Sequence, residues 1–349
     1  MFILENVPLS HYSTMRLGGI AAYLTEINSK DELRSALDWA QEHSTPIIMI
    51  GDGSNVIWKD EGFEGLVLIN KIMGFEVISE DDENIYITVG AGENWDTFIE
   101  RALNTGKNGV EFLSAIPGTV GGAPVQNIGA YGHDLSEVFM SLEAYDLHEK
   151  KFVNLDRVAC NFGYRTSRFK VGSDKNRFLI VSVTFHLMTL TNFKPYYHWL
   201  EEYLNARSIS DPSPNDIRQA VVKIRSERLP DPSVVANNGS FFSNPIIDSS
   251  KYHDLLDEFP KLASWPSVCF WELEDGTYKV AAGALLEYLG YKDFHDSVTG
   301  MGTWRNQALV IINENAKSTA DLILFKENIV NKVQETFGIA LAQEPEFLP

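Results

Sequence analysis

Leu33, Ala36, Leu37 and Ala40 recur at helical spacing behind Ser29-Lys30-Asp31-Glu32. The pattern predicts an amphipathic helix opened by a capping box, in which a Ser oxygen and a Glu carboxylate satisfy the free N–H groups of the first turn. Pro46 breaks that helix, and the apolar run Ile47-Ile48-Met49-Ile50 reads as a buried strand entering Gly51-Asp52-Gly53-Ser54-Asn55. Val56-Ile57-Trp58, a turn near Gly62 and a second apolar run, Leu66-Val67-Leu68-Ile69, come next. The dinucleotide fingerprint of nicotinamide dehydrogenases needs strand, glycine turn and then helix. No helix follows these glycines, so that fold is disfavoured.

Further strands are expected at 85–89, 138–145 and 178–187, with a short helix after Trp95, which makes residues 73–210 a mixed α+β region. Asp211-Pro212-Ser213-Pro214 reads as the clearest linker. Beyond it Ile217, Val221 and Ile224 mark a helix ending before Pro230, and more helices are expected at 252–258, 281–289 and 320–335, the last stopped by Gly338.

Composition narrows the possibilities. At 349 residues the chain is long enough for two or three domains, and 44% hydrophobic with 22% charged residues is ordinary globular composition. With 29 basic against 48 acidic residues the net charge is −19, which disfavours general binding to nucleic acid. Any site for an anion must cluster Arg and Lys locally. Cys160 and Cys269 lie far apart and outside any CxxC pattern, as expected of reduced thiols. No apolar run approaches the ~18 residues needed to span a membrane, and the N-terminus has no basic region before an apolar stretch. A cytoplasmic protein without membrane contact is the expectation.

Four segments stand out for chemistry. Gly51-Asp52-Gly53-Ser54-Asn55 is either a plain tight turn or a loop whose N–H groups, with Ser54 and Asn55, meet an anion. The segment Ile116-Pro117-Gly118-Thr119-Val120-Gly121-Gly122-Ala123-Pro124-Val125-Gln126-Asn127-Ile128-Gly129-Ala130-Tyr131-Gly132 holds five glycines and almost no charge. It is either a buried glycine-rich crossover or backbone lying against a large flat ligand. Two phosphate-friendly loops on one scaffold favour a dinucleotide such as FAD. In Phe162-Gly163-Tyr164-Arg165 the Arg is either an ordinary surface cation or a bidentate clamp for a carboxylate. Finally, Asn237-Asn238-Gly239-Ser240-Phe241-Phe242-Ser243-Asn244-Pro245, after Leu229-Pro230-Asp231-Pro232, places a Ser between Gly and two Phe. That Ser either caps a turn or donates a proton in a dry pocket. It is not a hydrolase nucleophile elbow, because the second Gly of G-x-S-x-G is missing. The eight His residues form no H-x-x-x-H pair, and no metal site is expected.

In this order, and with Ser13-Thr14-Met15-Arg16-Leu17-Gly18-Gly19, Val89-Gly90-Ala91-Gly92-Glu93-Asn94-Trp95 and Glu344-Pro345-Glu346, these segments resemble the UDP-N-acetylenolpyruvoylglucosamine reductase (MurB) family of bacterial peptidoglycan synthesis. The resemblance runs almost end to end. It implies an α+β protein with an FAD-binding fold of the PCMH/vanillyl-alcohol-oxidase type, about residues 17–189, in two subdomains (1–72 and 73–210). It implies a C-terminal α+β substrate domain over 211–336 and a tail, 337–349, that returns to the active site. Pro195-Tyr196-Tyr197 and the length match the longer subtype, in which a tyrosine loop closes over the nucleotide.

The implied reaction uses NADPH to reduce FAD, then passes hydride from flavin N5 to C3 of UDP-N-acetylglucosamine enolpyruvate. Arg165 would stabilise charge on the substrate carboxylate, Glu346 would face that carboxylate from the other side, and Ser240 would protonate C2. FAD contacts are expected from Gly51, Gly53, Ser54, Asn55, Ile116, Pro117, Gly118, Gly122, Gln126, Asn127, Gly129 and Tyr131. Contacts with the UDP-sugar are expected from Tyr197, Arg228, Asn244, Lys279 and Gln307, with Tyr164 supporting Arg165. Arg228 and Ser243 stand where lysines are common in the family, and Trp304 where a His is often seen. Arg228 and Lys279 are then the expected cations for the diphosphate. A monomer is expected. A flavin- or UDP-sugar-binding protein without turnover, or another oxidase sharing only the FAD domain, would not need Arg165, Ser240 and Glu346 together.

Overall fold

A computed structural model describes residues 1–189, 196–264 and 269–349. The chain forms two compact units. The first comprises Met1–Val7, Ala21–Gly53 and Phe63–Ser226, and the second Pro8–Ile20, Ser54–Gly62 and Glu227–Pro349. Pro195, part of the expected tyrosine loop, lies outside the described residues.

In the first unit the strands Ile20–Ile27 and Ile47–Ile50 flank Phe63–Asn70 in parallel. Both faces of such a sheet are covered, which is why Leu66, Val67, Leu68 and Ile69 are all buried. The helix Lys30–Glu42 packs Leu33, Ala36 and Ala40 against it. Its cap differs in one respect from the expected box. Ser29 accepts the Glu32 N–H at 3.1 Å, but the Glu32 carboxylate reaches past Ser29 to the N–H of Asn28 at 2.7 Å. The adjacent Asn28 amide also donates to that carboxylate, and the two donations hold it one residue upstream.

A five-stranded antiparallel sheet in the order Lys151–Asp156, Phe139–Asp146, Phe178–Met188, Asn84–Gly90 and Phe75–Glu80 completes the α+β core of this unit. Period-2 alternation along Phe178–Met188 sends Val183, Phe185 and Leu187 into a cluster with Trp95 and Phe98 of the helix Trp95–Leu103. Asp211-Pro212-Ser213-Pro214 is more than a linker. Ser213 and Asp216 cap each other's turn, and Pro214 opens the helix Pro214–Arg228, where its missing N–H costs nothing. That helix packs Ile217, Val221 and Ile224 against Leu200 and Leu204.

The second unit has an antiparallel sheet of Ala236–Ser240, Gln307–Asn313, Met301–Trp304 and His295–Asp296. A three-stranded sheet of Ile246–Ile247, Tyr278–Val280 and Phe270–Glu272 adds to it. The helix Thr319–Phe337 begins in a Ser318–Asp321 capping box, ends at left-handed Gly338 and buries Leu322, Phe325, Ile329 and Val333. No helix among the described residues is long and apolar enough to cross a membrane.

Candidate functional site

In the first unit the two glycine loops meet. A Cβ on Gly51 would stand 2.3 Å from Thr119 Oγ1, so only glycine allows that approach. Backbone turns into the left-handed region at Gly53 (φ 70°) and Gly118 (φ 124°), and also at the non-glycine residues Ala115, Asn127, Tyr131 and Arg165, with φ from 49° to 57°. Each such non-glycine residue carries on the order of 1 kcal/mol or more of strain and persists only where its surroundings hold it. Here they do. The Ala115 N–H donates to Asp96 at 2.6 Å, and its carbonyl accepts from Arg225 at 3.2 Å. The Asn127 amide donates to the Gly163 carbonyl at 3.2 Å and accepts the Ser136 N–H at 3.0 Å. With both ends of its amide engaged, Asn127 has its backbone to offer a ligand. Gln126 accepts from Lys170 at 3.0 Å. Ile116 and Gly118 are half-buried and Pro117 is exposed, and Gly122 makes only ordinary contacts. Such a lining of peptide groups and small side chains is the donor set a dinucleotide needs, so these residues fit FAD.

Arg165 donates through Nη2 to the Gly129 carbonyl at 2.6 Å. A Cβ on Gly129 would lie 2.7 Å from Arg165 Nη1, so the glycine makes room for the guanidinium. The Tyr164 ring centroid lies 5.3 Å from the guanidinium carbon. Tyr131 meets Tyr197 edge-on at 5.9 Å, and Tyr197 starts the helix His198–Ala206. The loop after Arg165 is pinned by ion pairs: Arg168 to Asp174, and Arg177 to both Asp174 and Asp146. The Arg177 hydrogen bonds hold the nearly buried Asp146 carboxyl far below the usual carboxylate range.

Two groups of this unit carry no sequence signal. Arg225 looks like any cation on a surface helix until its burial is seen. Glu111 is fully buried, accepts the Gly109 N–H at 2.8 Å and, among the described residues, has no hydrogen bond at Oε1. Burial pushes its carboxyl above the usual range.

In the second unit the structure brings Ser240, Glu346, Ser54 and Asn55 into one hydrogen-bonded assembly. Ser240 ends the strand Ala236–Ser240 after left-handed Gly239 (φ 71°). Asn238, two residues earlier, donates to the Ser54 carbonyl and Thr14 Oγ1, each at 3.0 Å. The tail is tied on both sides. Glu344 N–H donates to the Phe241 carbonyl and Glu346 N–H to the Asn55 carbonyl, each at 2.9 Å, and the Asn55 amide returns a bond to the Glu344 carbonyl at 3.3 Å. Glu346–Leu348 then runs parallel to Val56–Trp58. The Ser240 hydroxyl makes no hydrogen bond among the described residues, and it is half-buried.

Asn244 accepts the N–H of Ala282 at 3.0 Å, at the start of the helix Ala282–Tyr288, which leaves its amide N–H groups for another acceptor. Lys279 lies within Tyr278–Val280, its ammonium 5.6 Å from the Trp271 ring centroid. Gln307 opens the strand Gln307–Asn313 and is half-buried, as is Arg228. Ser243 donates through its hydroxyl to the tail carbonyl of Ala342 at 3.2 Å. The indole N–H of Trp304 is buried and makes no hydrogen bond among the described residues. Arg165 thus belongs to the first unit, and Ser240 and Glu346 to the second. Burial pushes the thiols of Cys160 and Cys269 up to about 12 and about 11, which keeps both protonated near neutrality. No group of His, Cys, Asp and Glu among the described residues could hold a metal ion.

A family model described as an FAD binding domain matches residues 21–150. With the strained glycine loops of the first unit, this defines the chain as a flavoprotein oxidoreductase. A second model, the C-terminal domain of UDP-N-acetylenolpyruvoylglucosamine reductase, matches residues 231–348. The reductases of that name from Ralstonia nicotianae and Pseudomonas aeruginosa are 38% and 37% identical to the chain, covering 97% and 98% of it and 97% of their own length. The chain belongs to the UDP-N-acetylenolpyruvoylglucosamine reductase family, FAD-dependent enzymes of peptidoglycan synthesis that use NADPH. The crystal structure of the Thermus caldophilus reductase (MurB) has the same fold, with a TM-score of 0.66 at 21% identity and full coverage of both chains.

Proposed function

We propose that this chain reduces UDP-N-acetylglucosamine enolpyruvate to UDP-N-acetylmuramate, as a cytoplasmic monomer of the longer, tyrosine-loop subtype. Bound FAD would supply the redox chemistry, taking hydride from NADPH and delivering it to C3 of the enolpyruvyl group. In this reading Arg165 binds the substrate carboxylate and stabilises the negative charge that spreads onto it from C2. Its attachment to the Gly129 carbonyl fixes its direction. Glu346 faces the same carboxylate. Ser240 gives its hydroxyl proton to C2. A serine is a weak acid in water, but beside an enolate in a dry site its placement suffices.

Arg228 and Lys279 neutralise the diphosphate, Asn244 and Gln307 bind the nucleotide sugar, and Tyr197 closes over it. The division of labour follows the chain. The part up to about residue 210 holds the flavin, and the part from Glu227, where the compact units divide, takes the sugar nucleotide with the tail 337–349.

The observation that carries this reading is the hydrogen-bonded assembly of Ser240's strand, the Glu346 tail and the Ser54-Asn55 turn, with the serine hydroxyl making no hydrogen bond among the described residues. Stopped-flow separation of the half-reactions tests it. Ser240→Ala should leave flavin bleaching by NADPH near the wild-type rate and slow re-oxidation by the enolpyruvyl substrate by about a thousandfold. Equal slowing of both half-reactions would make Ser240 a structural residue and defeat the proposal.

A further inference from the structure

Main-chain bonds hold the tail on both sides of Glu346. Upstream, Phe242 and Gln343 form an antiparallel bridge, with the Ser243 N–H donating to the Ala342 carbonyl and the Glu344 N–H to that of Phe241. These partners, residues 241–243, directly follow Ser240. Downstream, Glu346–Leu348 pairs with Val56–Trp58, and the Lys59 N–H donates to the Leu348 carbonyl at 3.0 Å. Glu346 stands where the tail passes from one partner segment to the other.

One side chain acts on both flanks of that crossing. Lys326, half-buried on the helix Thr319–Phe337, donates from Nζ to Gln343 Oε1 at 3.4 Å. Gln343 Nε2 donates in turn to the carbonyl of buried Pro345 at 3.0 Å. The same ammonium lies 5.5 Å from the Phe347 ring centroid. Pro345 and Phe347 are the two chain neighbours of Glu346. The helix is itself tied to the segment with which the tail pairs. Asp60, two residues past Trp58, accepts the N–H groups of Thr319 at 2.7 Å and Ala320 at 2.9 Å, and Thr319 Oγ1 donates to the Trp58 carbonyl at 2.6 Å. Strand, helix and tail therefore close a ring of contacts in which Lys326 supplies a polar link from helix to tail. In a chain with a net charge of −19, carboxylates are the abundant partners for an ammonium. Lys326 takes part in no ion pair among the described residues and meets an amide oxygen and a ring face instead.

We propose that Lys326 and Gln343 are positioning residues for the reaction, which together set the direction in which the Glu346 carboxyl faces the enolpyruvyl group. This rests on the reading above, in which Glu346 meets the substrate carboxylate. Holding the peptide before Glu346 and the ring after it restrains the backbone at Glu346, and the direction of its Cα–Cβ bond follows. A misplacement of about 1 Å near reacting groups can cost on the order of a hundredfold in rate, so a small release at the two flanks is measurable.

The test reads both half-reactions by stopped flow in FAD-loaded Lys326→Met, Lys326→Arg and Gln343→Leu, with and without Glu346→Gln. Lys326→Met keeps an apolar stem beside Phe347 and loses the ammonium. Re-oxidation of the flavin by the enolpyruvyl substrate should slow about tenfold, with bleaching by NADPH, FAD content and melting temperature near wild type. Lys326→Arg, which keeps the charge and its donors, should recover most of the rate. Because Lys326 acts through Glu346, Lys326→Met should add little to the loss already caused by Glu346→Gln. A wild-type re-oxidation rate in Lys326→Met, or an undiminished loss in the Glu346→Gln background, overturns the proposal. So does equal slowing of both half-reactions, which marks a merely structural lysine. Should Lys326→Met fail to purify with FAD, Gln343→Leu, which leaves the helix untouched, decides by the same comparisons. Glu346→Gln alone tests the parent reading separately, since a wild-type rate there would end the role of Glu346 itself and the positioning role with it.

Discussion

The first unit presents its candidate residues on strained backbone, with Ala115, Asn127, Tyr131 and Arg165 all left-handed and glycines where chain segments nearly touch. The second presents them on strands: Ser240 ends one just after left-handed Gly239, Lys279 lies inside one, and Gln307 and Glu346 open two others. The difference matches two tasks. Backbone that must follow the outline of a large flat cofactor leaves the favoured regions of φ and ψ, and neighbouring side chains hold it there. Side chains that must meet reacting atoms are better placed from strands, whose direction is set by the ladder. Arg165 apart, which stands on the strained backbone but is assigned to the substrate, one region is therefore expected to fail by losing its ligand, and the other by losing chemistry while keeping the ligand.

The largest expected effect tests the second half of that contrast. The thousandfold loss in Ser240→Ala, with FAD content unchanged by absorbance, is the strongest form of chemistry lost and ligand kept. Loss of the yellow colour from that variant would break the comparison at once.

Next in size is Asp146→Asn in the first unit. Removing the charge from this nearly buried partner of Arg177 leaves an unbalanced guanidinium and should cost on the order of 3 kcal/mol of stability. The sign with pH is fixed. The Asp146 carboxyl is held below its unfolded value, so its contribution is complete above about pH 4 and is lost as pH falls through the folded value. Thermal melting of wild type and variant should differ most near neutrality and converge in acid. A gap that widens in acid would contradict the pairing.

Much of the architecture was legible in the sequence because it follows from local patterns. The helix Lys30–Glu42, the strand–glycine–strand order around Gly51 and the stop at Gly338 need only periodicity and caps. What escaped reading depends on distance along the chain. Glu346–Leu348 pairs with Val56–Trp58 almost 300 residues away, and no periodicity reports such a partner. Ser213 and Pro214 looked like a linker because turn residues and helix caps share one chemistry. Arg225 was invisible because helical spacing does not separate a half-buried guanidinium from a solvated one, and Ala115 gave no hint of positive φ. The motif resemblance supplied Arg165, Ser240 and Glu346, but not the bonds that fix them.

A smaller effect tests the first half of the contrast. Gly51→Ala introduces a Cβ 2.3 Å from Thr119 Oγ1, and overpacking of this kind costs about 1–3 kcal/mol. If the two loops hold the cofactor together, the cost should appear as roughly tenfold or more weaker FAD binding, measured by titrating apoprotein. Gly51→Ala combined with Thr119→Ser removes the methyl but keeps the hydroxyl that is hit, so it should recover little. Thr119→Gly in the same background removes both and should recover most. Full recovery with Ser would place the conflict elsewhere.

The smallest effect is the sharpest for the second unit. Asn55→Ala removes one 3.3 Å hydrogen bond to the Glu344 carbonyl, while the main-chain bond from Glu346 to residue 55 is untouched. That bond is worth about 1 kcal/mol, and the main-chain bond should keep the tail in place with Glu346 slightly less well positioned. The expected result is a few-fold rise in KM for the enolpyruvyl substrate, with flavin reduction by NADPH unaffected. A change in FAD affinity comparable to that of Gly51→Ala would mean that Asn55 serves the cofactor through its side chain. The turn Gly51-Asp52-Gly53-Ser54-Asn55 would then belong to one task along its whole length, instead of passing at Gly53–Ser54 from holding the flavin to holding the tail.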